Sequence, residues 1–407
     1  MKIRKPGMKL IVMAFCLPMV VSSVWADQSS VEEKASEITQ KYLLTDGHID
    51  VPYRLHGGWV DVTVSAPDGQ FDYPRAVEGG LNLPFMSIYT PAEMEEEGGS
   101  FELANQLIDS VEAIAGRAPD KFMLVYTVAD AKKAMETNRI GLAMGMENGS
   151  PIDHKIENVQ YFADRGISYI TLTHGLSNQI ADSSYDDNRA WGGLSPFGKK
   201  VISEMNRVGI MVDVSHVSDD AFWQTLELTK VPVIASHSSA RKYTPDFERN
   251  MSDEMIVALA KNGGVIQINW GSGFLTAQAN AYSAKMWPAR AAWLKEHGFD
   301  EDGPEARQFN KDYREKYPYP YATMAQVVDH FDHVIKLVGV DNVGIGSDYD
   351  GVGDSLPIGL KDVSQYPNLV AEFLRRGYSE SDIAKILGGN LLRVWGEVEA
   401  YAKKGGA

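Results

Sequence analysis

Eight short apolar, β-branched or glycine-flanked runs recur along this chain, and helix-patterned stretches lie between them. The runs fall near 45–51, 81–88, 141–146, 168–173, 210–215, 231–236, 265–269 and 343–347. Helical patterning covers 101–115, 154–164, 196–208, 219–230, 253–261, 324–338 and 380–399. In 324–338, Met324, Val327, Val328, Phe331, Val334, Ile335 and Val338 keep the spacing of one buried helix face. Strands that alternate with helices run parallel, because each crossover returns the chain to the same end of the sheet. Eight such units predict an α/β fold closed into a (β/α)8 TIM-like barrel. No stretch rich in Pro, Gly or Ser divides the 407 residues, so one barrel domain over 27–407 is expected rather than two or three domains.

The N-terminus reads as an address. Lys2, Arg4, Lys5 and Lys9 precede an apolar run from Leu10 to about Val24, which ends Val24-Trp25-Ala26-Asp27. A basic start, a short apolar run and small residues near a cut describe a secretory signal peptide over 1–26. The run is interrupted by Pro18 and falls short of the roughly 20 residues that span a bilayer. Cleavage after Ala26 predicts an exported chain, periplasmic or secreted, beginning at Asp27. Cys16 is the one cysteine, so disulfide frameworks and Cys-ligated metal sites are excluded. Removal of the leader takes the formal charge from −16 to −20, which argues against nucleic-acid binding.

Two stretches exceed ordinary barrel loops, at about 89–139 and 271–322. Both follow strands, which places them at the C-terminal face where pockets form. The second carries Trp287, Trp293 and Tyr317-Pro318-Tyr319-Pro320-Tyr321. It reads equally as a pocket wall and as a decorative helical insertion.

The chemistry gathers at the downstream ends of the strands. The first ends Asp46-Gly47-His48-Ile49-Asp50, and residues two apart on a strand face the same side, so His48 and Asp50 can grip one ion. The third ends at Glu147, the fourth leads to His174, the fifth to His216, the sixth to His237 and the eighth to Asp348. Singly, a strand-end histidine is usually a hydrogen-bonded structural residue, and Asp50 or Asp348 could cap the loop that follows. Six of eight strands carrying such a residue at one end changes that reading. Four imidazoles and three carboxylates desolvated together need a cation. His48, Asp50, Glu147, His216 and His237 make five candidate ligands, more than the three usual at one catalytic zinc, so two ions sharing Glu147 fit better. His330 and His333 are assigned to the solvated face of their helix, and His56, His154 and His297 to surface or loop positions.

Taken in order, these motifs resemble the membrane (renal-type) dipeptidase family of zinc peptidases, within the amidohydrolase-like metal-dependent hydrolases. The anchors are Asp46-Gly47-His48-Ile49-Asp50, Gly145-Met146-Glu147-Asn148-Gly149, Leu172-Thr173-His174, the run 209–216, the run 232–240, Arg249-Asn250-Met251, the run 344–351 and the run 388–394. The resemblance spans nearly all of the chain after the leader. It implies two Zn2+ per chain, with His48, Asp50 and Glu147 on the first and Glu147, His216 and His237 on the second. It implies hydrolysis of the dipeptide bond by a dizinc-bridging hydroxide, including dipeptides with a D-residue at the C-terminal position. His174 matches a residue that contacts substrate and stabilises the tetrahedral intermediate. Arg249 matches the arginine that receives the substrate carboxylate; its residue pattern alone reads as a surface charge before a helix. Asp348 matches the carboxylate that handles protons and the substrate amine. The family's glutamate is commonly followed by glycine, and here Asn148 stands between Glu147 and Gly149.

The expected partners are small peptides, with a homodimer left open and no stable membrane anchor, since 403–407 is not a hydrophobic tail. Another hydrolase on the same barrel, a lactonase, deaminase or phosphotriesterase, is the alternative activity. A binding protein that kept the fold would have lost ligands, and the set here is complete.

Overall fold

The computed structural model describes residues 21–66, 68–300 and 303–405, with side chains from residue 30 onward. Most of the expected leader lies outside the described residues. The backbone is helical over Val21–Lys41, and no helix among the described residues is long and apolar enough to cross a membrane.

Eight parallel strands follow in ring order: β1 (Leu44–Ile49), β2 (Leu81–Tyr89), β3 (Ile140–Glu147), β4 (Ile167–Thr171), β5 (Met211–Asp213), β6 (Ile234–Ser238), β7 (Val265–Ile268) and β8 (Val343–Ile345). The ends of the ring meet where Asp50 N–H donates to the Tyr349 carbonyl at 2.8 Å and Asp348 N–H to the His48 carbonyl at 3.1 Å. The barrel expected from the sequence is therefore present. One strand was not foreseen: Phe122–Leu124 pairs parallel to the start of β3 on its outer side. It belongs to the 89–139 segment, which also forms helices Ser100–Arg117 and Val128–Glu136. The 271–322 segment is likewise mostly helical, as Ala277–His297 and Pro304–Lys316.

Alternation along the strands sorts the barrel interior by height. Leu83, Phe85, Ala143, Tyr169, Met211, Ile234 and Val265 form one buried apolar cluster inside the ring. Helix Asn390–Lys403 closes its lower end, with the Trp395 ring 5.3 Å from Phe85. Further along the same faces the side chains turn polar, two residues on at Ser87 and Asp213 and four on at Glu147. A second, larger cluster fills the space between strands and outer helices. The barrel is a packed floor carrying a polar rim.

Helix Met324–Val338 buries the expected apolar face, and it also buries His330 and His333. The solvated-face assignment for these two is corrected. His330 Nδ1 accepts from Ala240 N–H at 3.1 Å, and Nε2 donates to the Leu275 carbonyl at 3.0 Å. His333 Nε2 lies 2.7 Å from Asp253 Oδ1. Neighbouring loops cover the side of the helix that carries these two histidines, while Ala325, Gln326 and Lys336 stay exposed. His56, His154 and His297 are exposed, as expected.

Candidate metal centre

β1 delivers His48, and the turn after it delivers Asp50. Asp50 sits at the N-cap of helix Val51–Gly57 but makes no capping bond, and its Oδ2 lies 3.4 Å from His48 Nε2. Glu147, the last residue of β3, lies at the centre. Its Oε2 is 3.3 Å from His48 Nε2, and its Oε1 is 3.1 Å from His216 Nε2 and 3.2 Å from His237 Nε2. His174 Nε2 stands at 3.8 Å from Oε1. Asp348, at φ 63°, completes the ring and receives the Asn269 amide at 2.7 Å. All five expected ligands, with His174 and Asp348, meet at one rim, drawn from strands up to about 300 residues apart.

Proton counting shows what the cluster lacks. The Tyr169 hydroxyl has one proton and gives it to the Gly47 carbonyl at 3.0 Å, so it accepts from His48 Nδ1–H at 2.8 Å. Burial holds the Tyr169 phenol above its usual range, so that proton stays. The Ser236 hydroxyl likewise donates to Asp213 Oδ2 at 2.6 Å and accepts from His237 Nδ1–H at 2.7 Å. Both imidazoles, when neutral, therefore present Nε2 lone pairs to the Glu147 carboxylate. His48, Glu147 and His237 form a buried group whose facing atoms lie within 4.8 Å of one another and, with both imidazoles neutral as metal binding requires, only accept. His48 Nε2 has no hydrogen-bond partner. Three converging acceptors are repulsive until a cation sits among them. The donor set, nitrogen and oxygen without sulfur, suits zinc and similar divalent metals.

Electrostatics agree for His216 and His237. At His48 burial is outweighed by the neighbouring Tyr169, Glu147 and Asp50, which raise it above the usual histidine range, so its Nε2 carries the proton that a bound cation would displace. Burial lowers His216 and His237 well below the usual histidine range, helped by Arg249 and neighbouring imidazoles, so both are neutral. Burial works against ionised Glu147, yet positive charge at His48, with the neighbouring imidazoles, holds it well below the usual carboxylate range, and a cation among these residues would do the same. Asp348 is pushed up to about 7 by burial and by the charge of Asp50. Burial lowers His174, whose ring packs against His216 at 4.4 Å.

Arg249 is only 3% exposed, which corrects its reading as a surface charge. Its two terminal nitrogens donate to Ser238 Oγ at 2.8 Å and to the His237 carbonyl at 2.9 Å. Each keeps a second N–H, and Nε–H has no partner. Asn148 takes φ 78°, the left-handed backbone a glycine would supply, and its side chain donates to the Thr90 carbonyl and accepts from Asn178. The loop after Glu147 is thus tied down by the residue that departs from the family pattern.

The orienting residues were not foreseen. Asp213 lies inside a quoted motif, and its position two before Ser215 was the available signal. Tyr169 gave none, since a mid-strand tyrosine reads as core. Its ring crosses the barrel only because Gly145 has no side chain: a Cβ there would stand 2.0 Å from the ring.

Comparison with known proteins matches the chain to a family. A family profile described as membrane dipeptidase (Peptidase family M19) matches residues 32–406. Dipeptidase 3 of Mus musculus is 30% identical over 383 residues, covering 92% of this chain and 68% of the mouse protein. Dipeptidase 3 of Rattus norvegicus is 31% identical, with coverage of 92% and 69%. The crystal structure of the probable dipeptidase PvdM from Pseudomonas aeruginosa superposes with a TM-score of 0.79 at 29% identity, covering 91% of this chain and 99% of that one. Matched from end to end of its barrel, and bearing a rim of metal-type residues, the chain belongs to the membrane dipeptidase family of metallopeptidases.

Proposed function

We propose that this dipeptidase works with two zinc ions, one held by His48, Asp50 and Glu147 and the other by Glu147, His216 and His237. The observation that carries the reading is the group of acceptors His48, Glu147 and His237, whose remaining protons are fixed by Tyr169 and Ser236. When bound, the ions would supply an activated water and polarise the scissile carbonyl.

The chain's own residues supply the rest. Arg249 receives the C-terminal carboxylate on its free N–H groups, held in place by Ser238 and the His237 carbonyl. Asp348 keeps Oδ2 on the Asn269 amide, leaving Oδ1 to bind the substrate amine and to carry a proton to the leaving nitrogen. His174, neutral through burial, directs an N–H at the oxygen on which charge develops. The grips at the two termini, Arg249 and Asp348, set the substrate length at two residues. A D-residue in the C-terminal position belongs to the same proposal.

Purified protein supplies the test, through its zinc content and its turnover of an L,L and L,D dipeptide library beside esters and phosphotriesters. Two zinc ions per chain at full activity, loss on chelation and recovery on adding zinc are expected. One ion per chain at full activity sinks the two-ion reading, and preference for an ester or phosphotriester sinks the dipeptide reading. We further propose export with cleavage after Ala26. N-terminal sequencing of the secreted product should start at Asp27, and an intact Met1 in washed membranes overturns it.

A further inference from the structure

Helix Ala277–His297, from the long segment between β7 and β8, lines one side of a cavity of about 570 Å3. Tyr185, Phe247, Phe274, Met286, Trp287 and Tyr319 give it an aromatic and apolar wall. The cavity adjoins the centre at three points. The Tyr185 ring lies 5.9 Å from His216. The Phe274 ring lies 5.4 Å from the Arg249 guanidinium carbon. Gly351, also in the lining, donates its N–H to the Asp348 carbonyl at 3.1 Å.

The charged groups in the lining are engaged with each other. Arg314 binds Asp354 Oδ2 at 2.5 Å, and the Tyr321 hydroxyl donates to the same oxygen at 2.6 Å. What the cavity offers a ligand is therefore mainly apolar surface. Its volume falls within the range of small-molecule pockets and far exceeds what an alanine side chain needs. The aromatic wall is built around Arg249: Phe274 contacts it, Phe247 packs on Phe274 at 5.8 Å, and Tyr185 on Phe247 at 6.0 Å.

We propose that this cavity is the subsite for the C-terminal residue of the dipeptide and selects a large apolar or aromatic side chain there, with Trp287 as a specificity-determining wall. The assignment rests on the dipeptidase reading and on Arg249 as the carboxylate grip. Burying such a side chain lowers the transition state whenever the contact is kept through the reaction. The segment at 271–322 is then a pocket wall rather than decoration.

The experiment measures kcat/KM on the metal-loaded enzyme for Ala-X and X-Ala dipeptides, with X as Ala, Leu, Phe and Trp. Ala-Phe should exceed Ala-Ala by roughly tenfold or more, and the X-Ala series should be flatter. Ala284→Trp, placed where the residue is exposed and lines the cavity, should cut the Ala-Phe to Ala-Ala ratio by roughly tenfold. Trp287→Ala, at a side chain that is 52% exposed and so unnecessary for folding, should lower the same ratio. Equal effects on both dipeptides, or a preference carried by X-Ala, overturns the subsite while leaving the dipeptidase reading standing. Failure of the loaded wild-type enzyme to cleave any member of either series overturns both.

Discussion

Tyr169→Phe isolates the part of the metal centre that no ligand supplies. The substitution removes one oxygen and with it two hydrogen bonds, from His48 Nδ1 at 2.8 Å and to the Gly47 carbonyl at 3.0 Å. Each is worth about 1 kcal/mol net in a folded protein, and the buried His48 N–H is left without an acceptor. Only the first bond orients a proposed ligand, so metal affinity should fall by roughly 10- to 100-fold, the usual cost of losing a ligand's orienting partner. Competition with a graded chelator, followed by metal analysis, reads this without reference to activity. Tyr349→Phe is the control: it removes an equally buried phenol, here one that donates to the Asp362 carbonyl at 2.9 Å away from any ligand. Both variants should lose stability, and only Tyr169→Phe should release metal at lower chelator. If Tyr169→Phe holds metal as the wild type does while melting as early as the control, Tyr169 is structural and the proton inventory is wrong.

Asp348→Asn keeps shape and removes the base, so kcat should fall by roughly 10²–10⁴ with bound metal unchanged, as read by metal analysis beside steady-state kinetics. Arg249→Met should raise KM for free-acid dipeptides and narrow their advantage over C-terminally amidated analogues; equal losses on both would make Arg249 structural. His330, pushed down to about 4 by burial from a usual 6.5, should make folding sensitive to acid. Between those values the unfolded chain binds a proton that the folded chain refuses, so stability falls as pH drops from 6.5 towards 4, by up to about 3 kcal/mol, and levels off below. The stability advantage of wild type over His330→Asn, from chemical denaturation at matched metal loading, should shrink by that amount across the window; a constant difference would mean His330 titrates normally.

The sequence alone determined the barrel and the identity of the residues on its rim. Both are local facts: strand and helix periods are written in neighbouring residues, and a strand's downstream end is fixed once the strand is. That is why His48, Glu147, His216, His237 and Asp348 could be aligned without coordinates. The tertiary structure decided whatever depends on chain segments meeting. Tyr169 orients His48 from 121 residues away, through space that Gly145 leaves open. Arg249 and His330, polar and unremarkable in sequence, are buried because loops cover the sides that a helix or turn pattern leaves to solvent. The segment at 271–322 has no period that says what it faces, and only packing sets Phe274 beside Arg249 and Trp287 in the wall of the same cavity. Burial by distant segments is a property of the closed chain, and a linear pattern records which residues can be buried but not what will cover them.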